Sequence, residues 1–348
     1  MQQGHPSRVP FPTRVGVLFL IVLLAGCAID LGHTDAIPSL TDVQVQLSWV
    51  HTIEFTGLYM ADSHGYYANQ GLNVELLNGG YDDQNSYIDP VQAVLDGKAT
   101  FGVTGADVIL TSRAQGKPLV AIASIYQRSP VVLIAFGSHK LLHPEDLRGK
   151  RVATEPGTSP GLAYDALLAS LGISHSDITE IPRTDFTTRP LLSGDVDVLL
   201  SFVTDDAINA KRFDPDSTIL LMSDYGIDIY ANVIFTTEDM INDNPEIVER
   251  FVHATVQGLQ RAIDDPQGAA AYVLDHFGTT FTLDYAALQE PGMLASVPLI
   301  KPAGSQPGMM QPERWGITYQ ILEDLALLDQ PVNVREAYTL DFIESAYD

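Results

Sequence analysis

The hydrophobic pattern near the start of the chain changes period twice. Apolar and polar residues alternate over 43–47, which is the period-two pattern of a half-buried strand. Helical spacing follows over 55–61, a Gly-containing turn ends it, and a second strand is predicted over 72–77. Open α/β sheets bind ligands beyond the carboxyl ends of their strands. The loop after the first strand, which carries Trp49 and Glu54, is therefore a candidate binding loop.

Strand patterns recur up to residue 236, and helical patterns separate many of them. The further predicted strands are 100–103, 119–125, 131–136, 151–153, 178–181, 196–202, 217–221 and 232–236. The strand 119–125 is apolar almost throughout, which is typical of a central strand buried on both faces. The pattern then becomes helical, with predicted helices at 244–259, 269–277, 285–290 and 312–328.

The order of elements before and after residue 131 is similar, which predicts two α/β lobes of one design. We expect each lobe to contain a mixed sheet flanked by helices. The first lobe is predicted to comprise residues 42–131 and 233–348, with its helical tail returning to pack on it, and the second lobe residues 132–232. The two crossings between lobes, near 131–132 and 230–233, predict closure by hinge rotation.

Several aromatic and polar residues lie at predicted strand ends or helix starts, where concave sites form. The aromatic candidates are Trp49, Tyr59, Tyr81, Tyr126 and Tyr230. The polar candidates are Glu54, Asp82, Thr104, Asp107, Thr158, Ser159, Thr204 and Asp205. Each aromatic residue alone could equally pack in a core. As a set they favour a flat aromatic ligand, since each ring contact contributes about 1 kcal/mol beyond area burial, and the polar residues could hydrogen-bond its edge.

The first 26 residues have the pattern of an export signal. Arg8 and Arg14 precede a short apolar run that ends in Leu-Ala-Gly-Cys27, and the run is too short to span a membrane. Cys27 is the one cysteine of the sequence, so no internal disulfide can form. Residues 27–41 lack periodicity and predict a flexible tether.

The charge of the chain is strongly acidic. The 19 Lys and Arg residues face 44 Asp and Glu residues, and removal of the predicted signal takes away two Arg, which leaves 17 against 44, or −27. Such a balance opposes nucleic acid and anionic membrane surfaces as partners. A mature chain of about 320 residues fits two lobes.

Three stretches of sequence resemble a known family. They are SWVHTIEFTGLYMADSHGYYANQGLNVEL (48–76), AVLDGKATFGVTGADVILTSRAQGKPLVAIASIY (93–126) and HPEDLRGKRVATEPGTS (143–159). They are similar to bacterial solute-binding proteins of the family named for thiamine-pyrimidine synthesis, which feed ABC importers for heteroaromatic vitamins and vitamin precursors. The resemblance implies a periplasmic-binding-protein-like fold of type II. The LAGC sequence also resembles a lipobox, which implies diacylation of Cys27 and a lipid anchor on the extracytoplasmic face of the cell membrane.

The resemblance implies a monomeric binding component without a cofactor that presents a vitamin to an ABC permease and its ATPase. Riboflavin is favoured, because spread-out aromatic residues suit a three-ring isoalloxazine and hydroxyl-rich loops suit a ribityl chain. A thiamine pyrimidine precursor of the formylaminopyrimidine or hydroxymethylpyrimidine type is the alternative. Alkanesulfonate, nitrate and taurine binders share the fold, but those anions require converging cations or helix N-termini. Arg128 and Arg189 are the two residues that could supply such a charge.

Catalysis has little support in the sequence. The nine His residues are scattered and show no metal-ligand spacing. Asp82-Asp83 or Asp205-Asp206 could act as an acid-base pair, although acidic doublets in an acidic chain are usually solvated. Enzymatic relatives consume an active-site histidine and carry a Cys-rich motif, and neither is matched here. We therefore predict that the chain is not an enzyme.

Overall fold

The computed structural model describes residues 40–84 and 86–348. The predicted signal peptide, the predicted lipidation site Cys27 and nearly all of the predicted tether 27–41 lie outside the described residues. Within them, the strands are β1 (Thr41–Gln46), β2 (Leu72–Leu77), β3 (Phe101–Thr104), β4 (Leu119–Ser124), β5 (Val131–Ala135), β6 (Arg151–Thr154), β7 (Thr179–Pro182), β8 (Val198–Phe202), β9 (Thr218–Leu221) and β10 (Val233–Thr237).

The strands form two five-stranded mixed sheets. The first has the order β2-β1-β3-β10-β4, in which β10 is antiparallel to both of its neighbours and the other pairs are parallel. The second has the order β7-β6-β8-β5-β9, in which β5 is antiparallel to its neighbours. The chain passes between the sheets at 125–130 and again at 222–232. Mixed sheets flanked by helices confirm the predicted α/β fold class.

Helices flank both sheets. They are α1 (Thr56–Ser63), α2 (Tyr66–Asn69), α3 (Pro90–Leu95), α4 (Ala106–Ala114), α5 (Ser159–Leu171), α6 (Arg189–Leu192), α7 (Asp206–Phe213), α8 (Glu238–Asp243), α9 (Pro245–Asp264), α10 (Pro266–Phe277), α11 (Leu283–Ala286), α12 (Gln289–Ile300), α13 (Pro312–Asp324) and α14 (Asp341–Ser345). From α9 onward the tail packs against the first sheet and its helices, with α9 against α1, α13 against α4 and α14 against α9.

The prediction that 119–125 forms a central strand is wrong. All of β4 is buried, but β4 is an edge strand of its sheet. The tail supplies the missing cover, because the Ala121 amide donates to the Ala337 carbonyl at 2.9 Å and the Thr339 amide donates to the Ala121 carbonyl at 2.9 Å. An edge strand covered in this way is as apolar as a central one. The hydrophobic pattern alone therefore cannot separate the two cases.

The helices differ from the prediction in two respects. The helix predicted at 285–290 is instead the short α11 followed by α12, which continues to Ile300. Pro291 is the third residue of α12, where proline is tolerated because the amide there has no intrahelical partner. The short helices α2, α6, α7, α8 and α14 have no counterpart among the predicted helices.

Close packing of two helices holds the segment that leads into the site. Helices α1 and α9 meet at Gly57 and Gly258, and a Cβ atom on Gly258 would overlap the Gly57 carbonyl oxygen. Just before α1, a 3-10 turn at Ile53–Phe55 carries Glu54, and the Thr52 hydroxyl caps this turn by accepting from the Glu54 amide at 3.3 Å. The close contact between Gly57 and Gly258 and the cap by Thr52 therefore fix the direction of the loop after β1.

Candidate functional site

A cleft of about 900 Å³ lies where strands of both sheets end. Loops that follow β1, β2, β3, β6, β7 and β8 line it, together with the segment before β10 and the α11–α12 region. Parallel strands of one sheet end at the same edge, and the antiparallel β10 begins at that edge. Residues far apart in sequence therefore meet in one concave site, at the upper end of the size range of about 300–1,000 Å³ for small-molecule pockets.

Eight of the predicted site residues line the cleft. They are Trp49, Glu54, Tyr81, Thr104, Thr158, Ser159, Thr204 and Asp205. The predicted cap of α5 is also present, because the Thr158 hydroxyl accepts a hydrogen bond from the Gly161 amide at 3.2 Å. Contact of any of these residues with a ligand stays a prediction.

Tyr59 and Tyr126 are two of the three predicted aromatic residues that lie in the core instead of the cleft. The Tyr59 ring is buried on α1, and its hydroxyl lies 3.0 Å from the His51 Nδ1 atom. The Tyr126 ring is also buried, and its hydroxyl lies 3.1 Å from the Ser296 hydroxyl on α12. Both rings fill space between the first sheet and its covering helices, so their assignment to the ligand wall is wrong.

Tyr230 and Asp82 also stabilise local structure and do not line the cleft. The Tyr230 hydroxyl accepts a hydrogen bond from the Gln311 amide at 2.8 Å, which ties the second crossing segment to the start of α13. The Asp82 carboxylate accepts from the amides of Gln84 and Ser86 at 2.9 and 2.8 Å. Tyr230 is therefore a core tyrosine and Asp82 caps a turn, and neither belongs to the candidate site.

Asp107 joins the two sheets behind the cleft wall. It lies in the first turn of α4, is buried, and accepts a hydrogen bond from the Ser159 hydroxyl at 2.7 Å. Gly105 makes this approach possible, since a Cβ there would overlap both side-chain oxygens. Burial raises the pKa of Asp107, and the Ser159 hydrogen bond partly offsets that increase. Asp107 is therefore a link between the halves of the site and not a lining residue.

Aromatic contacts cross the cleft near its mouth. The Trp49 ring is 6.0 Å from the Tyr81 ring and 5.7 Å from the Phe186 ring, both in edge-on arrangements. Trp49 follows β1 of the first sheet and Phe186 follows β7 of the second, so this pair connects the two halves. Tyr87 packs edge-on against Tyr81 at 5.7 Å, and Phe202 and Tyr285 also line the cleft. Edge-on arrangements are among the favourable geometries for aromatic pairs.

Glu54 is a half-buried carboxyl that faces the cleft. Its Oε1 atom accepts a hydrogen bond of 2.5 Å from the Asn232 amide nitrogen. Burial raises the pKa of Glu54 to about 7, although the Asn232 hydrogen bond opposes the shift. The carboxyl therefore changes between its neutral and ionised forms near neutral pH, and it can act as either a donor or an acceptor towards a ligand.

Asp205 follows β8 of the second sheet, and the negative charge of Glu54 affects its pKa. Burial raises the pKa of Asp205 well above its usual range, and the carboxylates of Asp206 and Glu54 raise it further, while Arg183 lowers it. Two carboxyls from opposite sheets thus share one poorly solvated space. Such a site favours a ligand that brings hydrogen-bond donors and disfavours an anion.

Arg183 lines the cleft, and protein oxygens take four of its five N–H donors. Its Nη1 atom donates to Glu155 Oε1 at 2.9 Å and to the Leu200 carbonyl at 2.9 Å, its Nε atom donates to the Asp185 carbonyl, and its Nη2 atom pairs with the Asp206 carboxylate. The side chain is 4% exposed. Arg183 therefore neutralises buried acids and cannot offer a bidentate edge to a bound anion.

The two arginines that could have supplied an anion site lie elsewhere. Arg128 donates to the Ser223 hydroxyl at 2.8 Å and to the Asp224 carboxylate at 2.7 Å. Arg189 has a side chain that is 77% exposed and lies beside Asp185. Neither lines the cleft, and Arg183 is the one Lys or Arg side chain among the described residues that do.

Sequence reasoning missed several lining residues. Arg183 and Phe186 follow the short, exposed strand β7, and the rule used for the other strand ends would have found them. Asn232 stands directly before β10, and only knowledge that β10 is antiparallel places that start at the cleft. Tyr285 and Gln289 come from the helical tail, and their sequence neighbourhood gives no signal for the cleft.

The described residues contain neither a candidate membrane-spanning helix nor a candidate metal-binding cluster. No helix within 40–84 and 86–348 has both the length and the apolar content needed to cross a membrane. The same part of the chain holds no cluster of three or more His, Cys, Asp or Glu side chains arranged to bind a metal ion.

Comparison with known proteins adds the family context. A family model described as NMT1/THI5 like matches residues 52–269. The riboflavin-binding protein RibY of Chloroflexus aurantiacus is 27% identical over 347 residues, which cover 94% of this chain and 96% of RibY. The formylaminopyrimidine-binding protein of Halalkalibacterium halodurans is 23% identical over 334 residues, which cover 93% of this chain and 97% of that protein.

Solved structures share the architecture. The alkanesulfonate-binding protein SsuA of Xanthomonas axonopodis aligns with a TM-score of 0.64 and 16% identity, over 86% of this chain and 98% of that chain. Identity at this level shows the fold alone. The predicted periplasmic-binding-protein-like fold is thus confirmed, and ligand chemistry must be argued from the cleft.

Proposed function

The chain belongs to the NMT1/THI5-like family, and from that premise we propose that it is the extracytoplasmic binding component of an ABC importer and that it captures riboflavin. The observation that carries the proposal is the cleft of about 900 Å³ with aromatic walls and an acidic lining. Two relatives that align over nearly the whole chain are named as binding proteins, one for riboflavin and one for formylaminopyrimidine. Both names support binding and not catalysis.

The aromatic lining supports a flat, extended ligand. The rings that line the cleft are Trp49, Tyr81, Tyr87, Phe186, Phe202 and Tyr285. Stacked or edge-on ring contacts each contribute about 0.5–1.5 kcal/mol beyond area burial. The hydroxyls of Thr104, Thr158 and Ser159 line the same space and suit a polyhydroxyl chain.

The charge of the lining argues against the sulfonate class. Glu54, Asp89, Glu155 and Asp205 line the cleft, and Arg183 is the one cationic side chain among its described lining residues. Since four of the five N–H donors of Arg183 are bonded to protein oxygens and its charge is already paired with Glu155 and Asp206, a sulfonate would meet acids without an unpaired cation. An anionic ligand would therefore be repelled.

Cleft size favours riboflavin over a single-ring pyrimidine. Good binding sites bury most of the ligand surface, and a single-ring pyrimidine would leave much of a 900 Å³ space unfilled. The formylaminopyrimidine-binding relative keeps the thiamine pyrimidine precursor as the second candidate.

Titration of riboflavin with the protein, followed by flavin fluorescence, tests this choice. We expect saturable quenching with one site per chain at micromolar protein, because stacking on Trp49 and the tyrosines quenches the flavin. An aminopyrimidine or an alkanesulfonate should not displace the flavin at equal concentration. Absence of quenching, together with calorimetric binding of the aminopyrimidine, would reverse the order of the two candidates. Displacement by the sulfonate would reject both.

We also propose that Cys27 carries a lipid anchor and that the protein acts as a monomer on the extracytoplasmic face, where it meets the permease. The lipobox-like sequence at Cys27 supports this location. In detergent phase separation of expressing cells, the wild type is expected in the detergent phase and Cys27→Ser in the aqueous phase. A Cys27→Ser protein that remains in the detergent phase would contradict the anchor.

A further inference from the structure

Asn232, a lining residue of the cleft, carries a buried hydrogen-bonding atom that has no partner among the described residues. The Asn232 side chain is 2% exposed, and its amide nitrogen donates to Glu54 Oε1. That bond fixes the orientation of the amide, so its Oδ1 atom is the unpartnered acceptor. The atom lies just beneath the lining of the cleft, so a bound molecule that reaches it would supply the missing hydrogen bond.

The Glu54 carboxyl adjoins this acceptor and is surrounded by groups that cannot neutralise it. The negative charge of Glu54 raises the pKa of five titratable groups around it, which are Asp205, Tyr59, Tyr87, Tyr126 and Tyr285. The pKa of each of these tyrosines is raised, with burial as the first cause, so these tyrosines stay neutral at physiological pH. The one charge partner of Glu54 in this set is therefore another carboxyl, and a donor from the ligand is the group that the carboxyl lacks.

We propose that Glu54 and Asn232 form a paired acceptor that binds a ring N–H group of the ligand and so determines which heteroaromatic compounds are held. This inference rests on the proposed function and specifies the chemistry of the ligand edge. In oxidised riboflavin the imide N3–H is the one N–H donor of the ring system, and carbonyl oxygens flank it on both sides. The Ser48 hydroxyl, also buried without a partner and lining the cleft, is available to donate to such a carbonyl.

The ionisation of Glu54 sets the expected pH dependence. The ionised carboxylate is the stronger acceptor, and the pKa of Glu54 lies at about 7 in the empty protein, so affinity for a neutral N–H donor should rise from pH 6 to pH 8. Asp205 also has a raised pKa and faces the same space. Comparison with Glu54→Gln separates the two carboxyls, because that variant retains Asp205 and presents an amide donor in place of the acceptor.

Methylation of the ligand at N3 tests the inference without altering the protein. We expect wild-type protein to bind riboflavin at least tenfold more tightly than 3-methylriboflavin, as measured by quenching at pH 8. In Glu54→Gln, riboflavin affinity should fall to within threefold of that for 3-methylriboflavin. Glu75→Gln makes the same chemical change on the exposed face of β2 and should retain the wild-type ratio. Unfolding midpoints are measured for both variants.

The outcomes separate the two proposals. If wild-type protein binds neither flavin, the riboflavin proposal is wrong and this inference is rejected with it. If wild-type protein binds both flavins equally, the paired acceptor is rejected and riboflavin binding stands. If the tenfold preference persists in Glu54→Gln, another group excludes the methyl, and the assignment to Glu54 is rejected.

Discussion

Replacing Arg183 with methionine is expected to lower the free energy of unfolding by about 3–5 kcal/mol at neutral pH. The Arg183 side chain is 4% exposed and pairs with the carboxylates of Glu155 and Asp206, whose side chains are 13% and 2% exposed. Methionine matches the length of the arginine stem but leaves both acids without a cation. The cost arises because removing one partner strands a buried charge, whereas the net contribution of the intact pair is smaller.

Urea unfolding of Arg183→Met at pH 7 measures this effect. Arg189→Met is the matched control, because its side chain is 77% exposed, and it should change stability by no more than about 0.5 kcal/mol. Adding Glu155→Gln and Asp206→Asn to Arg183→Met should restore part of the loss, since neutral amides need no counter-ion. Equal midpoints for Arg183→Met and wild type would show that these carboxylates are not held as an ion-pair network.

Replacing Trp49 with alanine is expected to weaken riboflavin binding roughly 50- to 100-fold, or about 2.5 kcal/mol. Trp49 lies between Tyr81 and Phe186, at the point where the two halves of the cleft touch. Its removal takes away a stacking surface and the ring that connects the β1 loop to the β7 loop. The thermal midpoint of the empty protein should change little, because the indole is only half-buried and packs against the core of the first sheet without being one of its buried residues.

Tyr225→Ala is the control for this prediction. Tyr225 is an exposed aromatic residue at 38%, and it does not line the cleft. Fluorescence titration should give wild-type affinity for Tyr225→Ala and the large loss for Trp49→Ala. Unchanged affinity in Trp49→Ala would place the flavin elsewhere. Trp315, the other tryptophan of the sequence, is buried in the core and serves as an internal fluorescence reference in Trp49→Ala.

Much of the fold could be predicted because apolar periodicity reports which face of an element is buried. Nearly all strands of the described chain begin and end within a few residues of their predicted positions. The edge position of β4 was missed, because the tail segment around Ala337 buries it from two hundred residues away. Burial is visible in the local sequence, but the element that provides the burial is not.

The site could be predicted in part for a similar reason. Trp49, Thr158 and Thr204 follow strands or open helices, and this position places them at the sheet edge whatever the side chain. Tyr126 and Tyr230 satisfy the same rule and still point into the core, because strand twist and the covering helices decide which way a side chain turns. The direction in which such a side chain points depends on tertiary packing, which the local sequence does not show.

A crystal structure of the protein grown with riboflavin would test the central claim most directly. We predict electron density for a three-ring isoalloxazine in the cleft, packed against Trp49 and with its N3 edge within hydrogen-bond distance of Glu54 and Asn232. Flavin density outside the cleft, or an empty cleft in crystals grown with saturating riboflavin, would contradict the account.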